Sequence, residues 1–186
     1  MIASSAPTWL LIVSPLLVLV GTIVGAAIAI IGQLFSERYK RYHDCQMTAR
    51  GIAASIDATL IMAERRGYVQ SFENMIARIS QGEQIKAEMI IEDASIDPIT
   101  AKMLDRVGLL GHNLPARVVT FMQVLTGIRQ DLVRFGRGEL SDNMPDLAFI
   151  LAADLALWRE FEPRARVLVR DLRNYASERF RFWSWQ

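Results

Sequence analysis

The chain of 186 residues has no charged side chain before Glu37, a single cysteine, Cys45, and two histidines, His43 and His112. A stretch of 36 uncharged residues excludes the basic n-region of a cleaved secretory signal. One cysteine excludes an intrachain disulfide framework, and with two histidines it excludes a Cys/His zinc cluster. Neither sign of charge is in excess, because 21 bases face 20 acids, so there is no global field to attract nucleic acid. Phe135-Gly136-Arg137-Gly138-Glu139 lacks the spacing and lysine of a phosphate loop, and no 20 to 50 residue repeat is present.

What stands at the front instead is an apolar run from Trp9 to Phe35. A helix crosses the hydrocarbon core with about 20 apolar residues, so this run spans a bilayer with length to spare. Pro15 removes one backbone donor, which predicts that the ordered helix begins or bends there. Trp9 suits one interface, and Phe35, Tyr39 and Tyr42 suit the other. Ala27-Ile28-Ala29 matches a cleavage pattern, yet the apolar run continues past it to Phe35, which predicts a retained anchor. Arg38, Lys40 and Arg41 follow at once, so the basic flank places the N-terminus outside and the remainder in the cytosol. Gly21, Gly25 and Ala29 recur every four residues and form a groove in which two such spans can meet.

Beyond the span every strong apolar repeat has a helical period. Cys45, Ala49, Ile52, Ile56, Thr59 and Ala63 make a stripe that ends at Gly67. Val69 to Ser80 reads as helix, Gly82 to Asp93 as loop or weak strand around Met89, Ile90 and Ile91, and Asp97-Pro98 opens a brief helix ending at Gly108. Leu114, Val118, Phe121, Leu125, Ile128, Leu132 and Phe135 form the core helix, with Asn113 as its cap, Pro115 in its first turn, and Gly136 and Gly138 as its stop. A second stripe runs Leu147, Leu151, Asp154, Trp158, Phe161, Ala165, Leu168, Leu172 and Tyr175, and Pro163 predicts a kink or break near Glu162, giving two helical pieces.

The expected fold is therefore all-α: one N-terminal transmembrane helix followed by an antiparallel helical bundle. Its parts are a short outer tail (1–8), the span (9–35), a juxtamembrane stalk packing on the bundle (36–67), and a cytosolic bundle with an aromatic tail (68–186). In this layout, and in the strings Glu64-Arg65-Arg66-Gly67-Tyr68 and Val107-Gly108-Leu109-Leu110-Gly111, the chain resembles small single-pass bacterial membrane proteins that join one span to a helical domain. That resemblance covers most of the chain in layout and brings no activity, cofactor or catalytic residue.

Few residues offer chemistry. Tyr42-His43-Asp44-Cys45 holds reactive types, but consecutive helical residues point in different directions and form no triad. Glu64, Arg65 and Arg66 read as a solvated helix end, and His112 as a turn residue. Asp154 stands on an apolar stripe, where an unpaired carboxylate is costly, so either a partner such as Arg129 or Arg134 is expected or the face rotates to favour Leu155. Arg166, Arg170, Arg173 and Arg181 share a helix face near Phe180, Phe182, Trp183 and Trp185, a combination that fits either the inner lipid headgroups or the capping of the bundle's end.

The function expected from these features is a non-enzymatic interaction or scaffold module held on the cytosolic face of a bacterial inner membrane. Its expected partners are the lipid bilayer, a second copy of the chain and a further protein, with no nucleic acid and no cofactor. The alternative is a membrane-perturbing effector, holin-like or defensive, acting through clustered spans.

Overall fold

The computed structural model describes residues 9–85, 98–111, 113–140 and 143–178. Among these the regular structure is all helical: α1 (Trp9–Arg65), α2 (Tyr68–Ser80), α3 (Pro98–Leu104), a 3-10 turn (Val107–Leu109), α4 (Leu114–Gly136) and α5 (Met144–Ser177). The strand considered around Met89, Ile90 and Ile91 lies outside the described residues. Two compact units divide the chain, one comprising Asp44–Glu178 and the other holding residues up to His43.

α1 is an unbroken helix of 57 residues that passes through Pro15. From Val18 to Phe35 its side chains are exposed on every face. This is the one helix among the described residues long and apolar enough to cross a membrane, with a window of mean hydropathy 2.3, none of it buried. Of the two tyrosines expected at an interface, Tyr39 is exposed and Tyr42 is buried, their rings 6.5 Å apart.

Within Asp44–Glu178, α1 buries Cys45, Ala49, Ile52, Ala53, Ile56, Leu60 and Ala63. The small members of this stripe let other elements come close. A Cβ built on Gly51 would crowd the Met103 thioether, so glycine here makes room for that side chain of α3, and Ser55 and Thr100 hydrogen-bond nearby at 2.9 Å. α1 stops where Gly67 takes φ +61°, a left-handed conformation that costs glycine little, and α2 begins at the next residue.

α1 and α5 run antiparallel, as their pairings show. Gln46 donates to the Glu178 carbonyl at 2.9 Å, Arg50 to the Ala176 carbonyl at 3.2 Å, Arg173 to Asp57 at 2.7 Å and Arg166 to Glu64 at 3.3 Å. The first two satisfy carbonyls that the end of α5 would otherwise leave unpaired. α4 meets α5 through Arg117 and Asp171 at 2.7 Å, and α2 meets α5 through Glu73 and Arg159.

These helices enclose two apolar clusters. The first joins Ala49, Ile52, Ile56 and Leu60 of α1 to Leu114, Val118 and Phe121 of α4 and to Ala165, Leu168, Leu172 and Ala176 of α5. The second joins Phe72 and Ile79 of α2 to Ile128 and Phe135 of α4 and to Leu147, Leu151 and Leu155 of α5. Trp158 packs against both. α4 and α5 thus run through both clusters, while α1 closes the first and α2 the second.

Two expectations need correction. Pro163 does not divide α5, which runs on as one helix of 34 residues. Proline in a helix interior costs about 3 kcal/mol, but Pro163 is exposed, so water can reach the carbonyl left without a donor, and apolar burial on both sides outweighs the loss. Asn113 makes no capping hydrogen bond to α4, whereas Asn143 caps α5 by accepting from the Asp146 amide at 3.4 Å. Pro115 does occupy the first turn of α4, and Gly138 turns the chain after it with φ +78°.

Candidate functional site

Gly21, Gly25 and Ala29 lie exposed along α1, and a Cβ on either glycine would meet nothing within 4 Å. Arg38, Lys40 and Arg41 are also exposed on α1. Trp9 falls in the first turn of α1, with its side chain outside the described set, and Trp183 and Trp185 lie outside the described residues altogether.

The basic face expected on α5 is neutralised where it is described. Arg166 binds Glu64 and Glu162, Arg170 lies 3.6 Å from Asp171, and Arg173 binds Asp57. Glu64 is therefore not merely a solvated helix end, because it helps fix α1 against α5. The Arg117 guanidinium, by its hydrogen bond, holds the Asp171 carboxyl below its ordinary range. Sequence periodicity could not reveal these pairs, since 102 residues separate Glu64 from Arg166 and 116 separate Asp57 from Arg173.

Tyr42, His43, Asp44 and Cys45 indeed diverge around the helix: Tyr42 and Cys45 are buried, Asp44 is half-buried and His43 is exposed. Cys45 Sγ donates to the Leu109 carbonyl at 3.2 Å. On the facing side Tyr175 accepts from the Gly111 amide at 3.3 Å, and burial raises its phenol above the ordinary value. These contacts tie the loop before α4 to α1 and α5. His112 lies outside the described residues.

Asp154 departs most from expectation. It is 4% exposed on α5, and its Oδ2 has no hydrogen-bond partner. Neither Arg129 nor Arg134 pairs with it; Arg134 instead lies 3.3 Å from Asp131 and 3.6 Å from Glu139. The register of α4 on α5 brings Asp131 into range, a like charge rather than an opposite one. Burial chiefly, and the Asp131 charge secondarily, push the Asp154 carboxyl up to about 6.

A groove of about 360 Å³ is lined by Leu104, Val107, Val119, Met122, Gln123, Thr126, Gly127 and Gln130. None of these side chains titrates, so the groove supplies no acid or base. Among the described residues no three His, Cys, Asp or Glu side chains gather to hold a metal ion. Comparison of the chain with protein families, curated proteins and solved structures yields no match.

Proposed function

We propose that the chain is a single-pass membrane protein that holds a helical interaction module on the cytosolic face of a bacterial inner membrane, without catalysing a reaction. The observation that carries this reading is the exposed apolar surface of α1 from Val18 to Phe35. Apolar surface gains about 25 cal/mol per Å² on leaving water, and monomeric soluble proteins rarely expose contiguous patches above a few hundred Å². A bilayer removes that cost along the whole segment. Arg38, Lys40 and Arg41, just past it, favour the cytosol for the helices beyond.

The module works by tethering. Confinement to a membrane plane raises local concentration, so weak contacts become effective without a deep pocket. The groove of Gly21, Gly25 and Ala29 adds self-association of the spans, with close backbone approach as the attractive element.

The experiment is a fusion of a fluorescent reporter to the C-terminus, combined with photocrosslinking from exposed positions of the Asp44–Glu178 unit in living cells. The reading requires fluorescence that resists external protease, and a discrete crosslinked adduct that is lost when the unit is expressed without its anchor. A reporter digested from outside, or adducts unaffected by loss of the anchor, overturns it.

A further inference from the structure

Asp154 faces inward from α5 in the stretch where Leu151 and Leu155 join the second apolar cluster. No ion pair to it forms among the described residues, and its Oδ2 accepts no hydrogen bond. A carboxylate in that position is costly, whereas a neutral carboxyl loses far less on burial.

The charged groups on the packed elements give no relief. On α4, Asp131 acts on Asp154 with the wrong sign, Arg134 is held by Asp131 and Glu139, and Arg129 forms no ion pair with it. On α2, Glu73 is held by Arg159 and Arg78 by Glu83. On α1, Asp57 and Glu64 are held by Arg173 and Arg166. On α5 itself Arg159 is engaged by Glu73, and Glu160 by Arg164. Among the described residues no ion pair compensates a negative charge at Asp154.

We propose that Asp154 is a proton-operated latch between α4 and α5: protonated, it lets Met144 to Trp158 lie closed on α4, and ionised, it drives that half of α5 towards opening. The proton passes between the carboxyl oxygen and solvent water, and no other bond changes. Opening would uncover Ile128 and Phe135 of α4 with Leu147, Leu151 and Leu155 of α5, an apolar surface that the closed state hides. The other half of α5, Ala165 to Ala176, belongs to the first cluster and has no such charge within it, so the response is local. The latch does not depend on the membrane reading.

The ordinary carboxyl value of 3.8 describes Asp154 in the open state, and about 6 describes it closed. The opening constant should then rise about tenfold from pH 5 to pH 7.5. Amide hydrogen exchange on the full chain in detergent micelles, corrected for intrinsic rates at each pH, measures this directly. Protection of Leu147 to Leu155 should fall about tenfold over that interval while protection of Leu168 to Leu172 holds. Asp154→Asn should abolish the response, and Asp131→Asn, at a half-buried position, should move its midpoint to lower pH. A pH-independent wild type, or an Asp154→Asn protein that responds like wild type, overturns the latch. If Asp154→Asn fails to fold, an unshifted midpoint in Asp131→Asn overturns it equally.

Discussion

Arg173 of α5 donates to Asp57 of α1 at 2.7 Å, and Arg166 of α5, seven residues earlier, meets Glu64 of α1, seven residues later, at 3.3 Å. The equal spacing on two antiparallel helices makes these pairs a register mark. Both are largely exposed, so each contributes about 0.2 to 1 kcal/mol. Asp57→Arg should lower the denaturation midpoint, and adding Arg173→Asp should restore most of the loss. A double-mutant cycle with no coupling contradicts the pairing.

Leu172 and Val118 are fully buried in the first cluster, where α1, α4 and α5 meet. Leu172→Ala should cost about 2 to 5 kcal/mol by lost burial and cavity formation. Phe149→Ala, on the exposed face of α5, should stay within about 0.5 kcal/mol. Urea titration of both variants checks the contrast.

Stability should also depend on pH through Asp154. Its native carboxyl holds a proton to about 6, while the unfolded one releases it near 3.8, so the native state binds more protons between those values. The contribution of Asp154 is therefore greatest below about pH 4, falls as pH rises through 6, and then levels, with a total change on the order of 2 to 3 kcal/mol. Asp154→Leu should remove this slope and raise the melting temperature at pH 7.5. An unchanged slope in that variant contradicts the assignment.

Pro163 makes α5 less stable than its length allows. Since α5 continues through it, Pro163→Ala should add an amide donor without changing the fold, raising stability by about 1 to 3 kcal/mol. Calorimetry would show it as a higher melting temperature; a lower one would mean that the proline shapes a bend on which the packing depends.

Much of this fold was legible because apolar side chains recur with a helical period. Leu114, Val118, Phe121, Ile128 and Phe135 are buried on α4 as their spacing predicts, and so are Leu147, Leu151, Ala165, Leu168 and Leu172 on α5. Proline rules misjudged α5 because they weigh local backbone chemistry, whereas tertiary burial on either side of Pro163 decides. The partner expected for Asp154 was wrong because periodicity fixes which face a residue occupies and leaves the register of the facing helix open. A single turn of α4 separates Asp131 from Arg134, and that turn sets the sign of the neighbour. The roles of Arg166 and Arg173 were hidden for the same reason, their acids lying far away in sequence.

Along the apolar segment of α1, a Cβ on Gly21 or Gly25 would meet nothing within 4 Å. Gly25→Leu should weaken crosslinking between cysteines placed in two copies of the span, because a larger side chain holds the backbones apart. Dimer yield equal to wild type contradicts this groove as the contact.

The proposed tethering requires Val18 to Phe35 to reside in lipid, and extraction of membranes from cells expressing the full chain probes it without intermediaries. The protein should stay in the pellet through alkaline carbonate and urea and enter solution only with detergent. Recovery in the carbonate supernatant, as a monodisperse species in detergent-free buffer, would refute that residence.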